Sequence, residues 1–337
     1  MKVNYKICRL PFRHAFTISK GTKTEQPTFL VELDFNGIKG YGEAPAISYY
    51  NIPVEKMEAD LLSKKQMVEK YALTDPERYW HYLHHVFPQN PFLVCALDMA
   101  AWDITGKLRQ LPLYELWGLD MATAPVTDYT IGIDSLEKML QKLEEKPWPV
   151  YKIKLGTKQD IRIIETLRKH TTAVFRVDAN AGWQLEEALE IIPALQQLGV
   201  ELVEQPLAKD NWEGMKMLFE KSALPLIADE SCVAEQDVAR CARHFHGINI
   251  KLTKCGGITP ARRMVAAAAG HGLRVMIGCM NESTIGSAAI ANLAPSADYI
   301  DMDGPLLLSE DIASGITYQD GRYTLSGDPG LGITVDF

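Results

Sequence analysis

The 337-residue chain has no uninterrupted run of the roughly 18 apolar residues that a membrane span requires. Its most apolar stretch, from Met264 to Cys279, is broken by His271 and Arg274. The opening residues, Met1 to Phe16, lack the apolar core of a secretory signal, so a cytoplasmic location is the expectation. Basic charge is scarce as well. Thirty-five Lys and Arg stand against 43 Asp and Glu, for a net charge of −8. Nucleic acid and anionic membrane both attract a basic face, and this balance sets them aside as partners. An anionic small molecule stays open, because a few local cations suffice to hold it. The six cysteines form no CxxC pair, which argues against sulfur-ligated metal and for reduced, mostly buried thiols.

What is present is ordinary globular material, 47% hydrophobic and 23% charged. At about 150 residues per domain, the length suggests roughly two domains. The first 120 or so residues alternate in type. Lys2 to Arg9 and Thr28 to Phe35 read as strands, followed by an Asn36-Gly37 turn and a third strand from Ile38 to Gly42. Helical periodicity then covers Val54 to Tyr71, Asp75 to His85 and Pro91 to Arg109. Strands followed by helices indicate an α+β unit.

Beyond residue 124 a positional repeat sets in. Short apolar or β-branched runs, each closed by a polar residue, recur at steps of about 22 to 27 residues with helical stretches between them. They are Thr127 to Ile131, Val150 to Lys154, Ala173 to Asp178, Val200 to Glu204, Pro225 to Asp229, Gly247 to Lys251, Arg274 to Ile277 and Tyr299 to Asp301. Eight such units, with no GxGxxG to open a dinucleotide fold, favour a closed α/β barrel over a doubly wound sheet.

Barrels carry their chemistry at the C-terminal ends of the strands, so the residues closing the runs are the ones to read. Asp178, Glu204 and Asp229 close three consecutive runs. Three acids at one height repel unless a cation sits among them. All-oxygen ligation without a nearby His or Cys favours Mg²⁺. Lys154 precedes this trio by one unit and Lys251 follows it by one, which places them on opposite sides of the mouth. A lysine works as a base near neutrality only when a neighbouring cation or burial lowers its pKa, and Lys152 or the metal can do this for Lys154. Taken singly, each acid also reads as a helix cap or a lysine partner, and Lys251 as a solvated strand-end charge. Their common placement decides between the readings.

The ordered set Lys152-Ile-Lys154, Asp178-Ala-Asn180, Glu204-Gln-Pro206, Asp229-Glu-Ser231 and Lys251 with Cys255-Gly-Gly-Ile258 resembles the enolase superfamily, in particular its muconate lactonizing enzyme subgroup. The resemblance spans essentially the whole chain, including Gly40-Tyr-Gly-Glu43-Ala-Pro45. It implies a modified TIM barrel, (β/α)7β, over residues 121–310, with an α+β capping domain over 1–120 that the segment 311–337 rejoins. It also implies one Mg²⁺ per subunit on Asp178, Glu204 and Asp229, and removal of a proton α to a carboxylate by Lys154 or Lys251. Lys152 then opposes the charge on the enolate.

Asp301-Met-Asp303 is similar to the Asp-x-Asp pair that receives the free ammonium in dipeptide epimerases of this subgroup. The implied partner is a small dipeptide whose C-terminal α-carbon is inverted; a homo-oligomer is compatible with the sequence. Epimerases selective for glutamate carry an Arg in the first cap loop, where this chain has Thr17, so a small apolar dipeptide such as Ala-Ala is expected over Ala-Glu. Lys20 and Lys23 lie in the same loop and offer a substitute anion site. Tyr50, beside Tyr49, is a candidate pocket wall, and Glu282 a candidate substrate contact at the mouth. A cycloisomerase of the muconate type or an o-succinylbenzoate synthase uses the same metal site and forms the alternative. A non-catalytic binding protein on the same barrel is a remote one. His81, His84 and His85 share a cap helix with no acid cluster, and Phe92, Met99, Trp102 and Trp117 read as core.

Overall fold

The computed structural model describes residues 1–19 and 21–337. Its N-terminal part opens with an antiparallel sheet of β1 (Lys2–Ile18), β2 (Gly21–Phe35) and β3 (Ile38–Pro45), in that order. The β2–β3 turn uses Asn36 and Gly37, both at positive φ, as a tight two-residue hairpin demands. The β1–β2 hairpin is much longer than expected. Past an irregularity between Pro11 and Phe16, pairing resumes at Phe16 with Lys23 and Thr17 with Thr22. A segment expected as loop is thus the end of a strand pair, its polar Thr-rich alternation having hidden the strand. Lys20 lies outside the described residues.

Three helices follow: α1 (Val54–Lys70), α2 (Pro76–Val86) and α3 (Pro91–Arg109). Helices α2 and α3 both begin on proline, and the Asp75 and Asn90 side chains accept from the Arg78 and Leu93 amides. Helix α3 is buried along nearly its whole length because it lies between the cap sheet and the barrel. Gly40 and Gly42 of β3 pass so close to the backbone of Ala96 and Ala100 that a side chain would collide with it. That contact accounts for the Gly-Tyr-Gly run.

The second part is a parallel eight-stranded sheet in sequential order. Its strands are β4 (Tyr129–Ile131), β5 (Val150–Lys154), β6 (Val174–Asp178), β7 (Val200–Glu204), β8 (Leu226–Ala228), β9 (Gly247–Lys251), β10 (Arg274–Gly278) and β11 (Tyr299–Asp301). Helices alternate with the strands, among them Asp160–Arg168, Leu185–Gln197, Ile258–Gly270 and Thr284–Leu293, while β11 is followed by a single helical turn, Gly304–Leu307. Each of the eight expected runs coincides with one strand, β10 reaching one residue further than expected, to Gly278. Strands β4 and β11 share no ladder. A bridge between Thr127 and Ile300 and a bond from the Met302 amide to Thr127 Oγ1 (2.9 Å) close the seam instead. Beneath the mouth, Arg176 donates to Asp128 (3.0 Å), to the Ile300 carbonyl (3.1 Å) and to Glu201 (2.8 Å), so one buried guanidinium ties β6 and β7 across to the seam.

Cap and barrel are joined by buried polar bonds as well as apolar packing. Trp80 donates to the Gly256 carbonyl (2.8 Å), Trp102 to Thr259 Oγ1 (2.9 Å), and the Thr259 amide and hydroxyl to Asp98 (2.9 and 2.7 Å). The C-terminal tail returns to α3, where the Leu331 amide donates to Asp103 (2.9 Å). All six cysteines are free and five are buried. Among the described residues no helix is long and apolar enough to cross a membrane.

Arg176→Met leaves the buried Asp128 carboxyl, whose pKa burial and Asp301 already raise, without its partner and should lower the unfolding free energy by about 3–5 kcal/mol in urea titration. Adding Asp128→Asn removes the unpaired carboxyl and should recover part of the loss. An unchanged midpoint in the single variant would show that the network does not hold the seam.

Candidate active site

Strand register sets the heights of the site residues. Lys154 lies level with Asp178, and Asp178 level with Glu204; on the far side Gly278 is level with both Lys251 and Asp301. Asp229 follows the last residue of β8 by one position. These positions all open on one end of the barrel, the C-terminal one. There a cavity of about 220 Å³ is lined by Lys154, Asn180, Asp229, Lys251, Asp301 and Asp303 from the barrel, and by Phe16, Ile18, Lys23, Ile47, Tyr49 and Tyr50 from the cap.

The ligand atoms of Asp178, Glu204 and Asp229 lie within 4.8 Å of one another, and all three residues are buried. Glu204 shows what this crowding costs. Burial, and then the charge of Asp178, push its carboxyl up to about 7 despite Lys152. Burial works the same way on Asp229, but Lys251 and Lys254 overcome it and hold the carboxyl well below the usual range. A clustered, all-oxygen donor set in which one acid is driven toward protonation fits a hard divalent cation.

The lysines are interleaved with these acids. Lys154 Nζ lies 2.6 Å from Asp178 Oδ2, and Lys251 Nζ lies 2.8 Å from Asp229 Oδ2. Lys152, 1% exposed, does not line the cavity. It sits beneath, with Nζ 2.7 Å from Asp301, 2.8 Å from Glu204 and 3.5 Å from Asp178. Asp301 is therefore already paired through Oδ2, while its Oδ1 is buried without a hydrogen-bond partner. Burial opposes its charge, yet Lys152 and Lys154 hold its pKa down to about 2. Asp303 behaves oppositely: burial and Asp301 push it up to about 6, and it accepts from the Thr130 amide. The pair thus carries its first charge firmly and its second loosely.

Two sequence expectations land elsewhere. Thr17 does not line the cavity, because strand alternation turns its neighbours Phe16 and Ile18 inward and leaves its hydroxyl on Thr22 (2.9 Å). Glu282 does not line it either. The residue is 2% exposed and wedged behind the wall, beside Gly286 and Gly304, where its carboxyl accepts from the Met280 amide. Burial, followed by the nearby Glu43 carboxylate, raises its pKa to about 8. Glu43 itself reaches across from the cap to accept from the Ser283 amide (3.0 Å), the Ser283 hydroxyl (2.6 Å) and the Gly286 amide (3.1 Å). Tyr50 does line the cavity, packed edge-on against Tyr49 at 5.0 Å.

Other residues of the site carried no assigned role in the sequence reading. Asn180, in the left-handed region at φ 45°, donates its amide to Asp178 Oδ1 (2.8 Å). Gln205, at φ 35°, accepts from the amides of Asp229 and Ser231 (both 3.0 Å). Asn249 donates to Glu204 (2.9 Å). Asn180 and Gln205 stand inside motifs already singled out, and their clustered strained backbones at the strand ends are the structural mark of a working site.

This arrangement of a capped barrel with three carboxylates on consecutive strand ends, flanked by a lysine on the strand before and the strand after, defines a class. The chain belongs to the enolase superfamily: residues 3–118 match the mandelate racemase / muconate lactonizing enzyme N-terminal domain, and residues 134–337 match the enolase C-terminal domain-like family. Within it, the chain is 50% identical over 335 residues to an L-Ala-D/L-amino acid epimerase from Flavobacterium johnsoniae, covering 99% of this chain and all of that one. Among solved structures it resembles a substrate-liganded L-Ala-D/L-Glu epimerase from Bacillus subtilis, at 30% identity and a TM-score of 0.92 over 99% of both chains. It also resembles a dipeptide epimerase from Enterococcus faecalis complexed with Mg and the dipeptide L-Leu-L-Tyr, at 31% identity and a TM-score of 0.91 over 99% of both chains.

The raised pKa of Glu282 has a measurable consequence. Its folded value lies above the unfolded one, so the folded state holds the extra proton, and stability is lost as pH rises from about 4.5 to about 8. Glu282→Gln carries no such proton. The melting temperature of this variant relative to the parent should climb from pH 5 to pH 8 and level off above; a flat difference across that range counts against a neutral Glu282.

Proposed function

We propose that the chain is a dipeptide epimerase that inverts the α-carbon of the C-terminal residue by 1,1-proton transfer. The observation carrying this reading is the pair of lysines, Lys154 and Lys251. They line one cavity from the second and sixth of eight barrel strands, and each rests on one of the three clustered acids. A reaction that exchanges a proton on both faces of one carbon needs a base on each side. The names of the related epimerases point the same way.

In this reading the cavity holds a dipeptide with its carboxylate toward Asp178, Glu204 and Asp229 and its ammonium toward Asp301 and Asp303. A Mg²⁺ ion on the three acids would neutralise them and oppose the charge that builds on the substrate carboxylate. One lysine, as the free amine, takes the α-proton. The other, as the ammonium, delivers a proton to the opposite face, and the roles exchange for the reverse reaction. Lys152 is fixed as a cation by its acids and lies next to Glu204 and Asp178, where it stabilises negative charge without being consumed. The proposal keeps the division into a cap of 1–120, a barrel of 121–310 and a returning tail of 311–337. The cap shapes the pocket and the barrel supplies the chemistry.

The cap side of the cavity, which in this reading receives the second side chain, is a mainly apolar wall of Phe16, Ile18, Ile47 and Tyr50 interrupted by Thr22, Lys23 and Ser48. Lys23 Nζ is 3.1 Å from Gln26 Oε1, and burial with nearby Lys251 lowers its pKa. This wall suits small apolar residues, with Lys23 as a secondary foothold for an acid. L-Ala-L-Ala should accordingly turn over with a higher kcat/KM than L-Ala-L-Glu, and Lys23→Met should depress the glutamyl substrate more than the alanyl one. Equal losses on both substrates would remove Lys23 from the specificity argument.

The two-base scheme is tested by exchange in D₂O. Lys154→Ala and Lys251→Ala should each lower net epimerisation about 10²–10⁴-fold, the range that loss of an acid–base group spans. Each should retain α-proton exchange with one epimer only, and with opposite preference. Exchange from both epimers in either variant would sink the scheme.

A further inference from the structure

Lys254 takes no part in the proton transfer proposed above, yet it is among the most confined side chains in the molecule. It stands in the short turn Leu252–Cys255 that follows β9, is 2% exposed, and does not line the cavity. Its ammonium faces four acceptors: Asp229 Oδ1 and the Asp229 carbonyl, both at 2.6 Å, the Cys232 carbonyl at 2.9 Å and the Asn249 carbonyl at 3.1 Å. An ammonium has three N–H groups, so every donor is committed and no freedom of orientation remains.

Two of those four acceptors belong to Asp229, one on its side chain and one on its main chain. That matters because Asp229 lies past the end of β8, where the strand ladder no longer fixes the chain. Its amide is held by Gln205 Oε1, and Lys254 holds its carbonyl and Oδ1. Only Oδ2 is left to face Lys251. The opposite side of the mouth has the same plan. Asp178 Oδ1 is held by the Asn180 amide, and its Oδ2 lies 2.6 Å from Lys154 and 3.5 Å from Lys152. Each cavity lysine is thus joined through one acid to a second lysine buried behind it: Lys154 to Lys152, and Lys251 to Lys254.

We propose that Lys254 is a positioning residue that locks Asp229, turning one carboxylate oxygen toward the metal position and Lys251. A fixed cation serves here better than a neutral amide, because it offsets the charge of an acid whose other neighbours must also serve substrate. The proposal rests on the two-base reading for the part that concerns Lys251, and on geometry alone for the part that concerns the metal position.

The test uses full-length enzyme stripped of metal with a chelator. In Lys254→Met, Mg²⁺ titration calorimetry should show Kd raised about tenfold or more, as outer partners of metal ligands commonly do. At saturating Mg²⁺, α-proton exchange should slow further on the face served by Lys251 than on the face served by Lys154. A folded variant with parental Mg²⁺ affinity overturns the proposal, and so does equal slowing on both faces. If Lys254→Met does not fold, Lys254→Gln keeps a shorter donor toward Asp229 and is read by the same two measurements. Should the parent enzyme bind Mg²⁺ but exchange no dipeptide proton, the epimerase reading fails while the calorimetric arm still decides the role of Lys254.

Discussion

Charge matching in a buried mouth is the constraint on which this structure depends. Asp178, Glu204, Asp229, Asp301 and Asp303 are all at most 4% exposed, and Lys152, Lys154, Lys251 and Lys254 at most 7%. Isolated, any one of these charges would be expensive to bury or would discharge itself. Placed on the strand ends of a closed barrel, each of them except Asp303 lies within ion-pair reach of an opposite charge, and the excess of acid over base leaves room for a cation. Glu204 and Asp303, whose pKa values rise to about 7 and about 6, mark where that excess presses hardest. The barrel is what allows it, since parallel strands deliver one polar residue per unit to a common rim.

That same regularity made the rim legible in the sequence. Residues two apart on a strand share a face, so once eight runs had been counted, Lys152 with Lys154 and the acids closing the next three runs had only one place to go. The pairing of Lys152 with Asp301 was not legible, because it joins strands that are neighbours in neither sequence nor sheet. Nor was the burial of Glu282, which depends on Glu43 arriving from the cap at the start of the helix Thr284–Leu293. In the cap, the hydrophobic pattern located α2 and α3 almost to the residue, because Asp75-Pro76 and Asn90-Pro91 are strong start signals. It failed on the outer end of the β1–β2 hairpin, where no residue from Gly21 to Glu25 is buried and alternation carries little apolar signal. Thr17 was misplaced for that reason: in a loop its direction is free, whereas in a strand it must point opposite to Phe16 and Ile18.

In the proposed reading, chemistry and selectivity are divided along the chain. The proposed proton-transfer groups stand on barrel strands, whose ladders fix them, whereas the apolar wall comes from a hairpin end and the loop carrying Ile47 to Tyr50. Relatives that share this frame carry different dipeptide names, which accords with such a division.

The division does not make the two parts interchangeable. Glu43, Asp98 and Asp103 cross from the cap side to satisfy Ser283, Gly286, Thr259 and Leu331, and Trp80 and Trp102 cross to Gly256 and Thr259. A cap transplanted from another barrel would have to bring acids at the same three points, or leave buried amides on the barrel and tail without acceptors. New pockets on this scaffold are therefore more readily made by rewriting the few cap residues that touch the cavity than by exchanging the cap as a block.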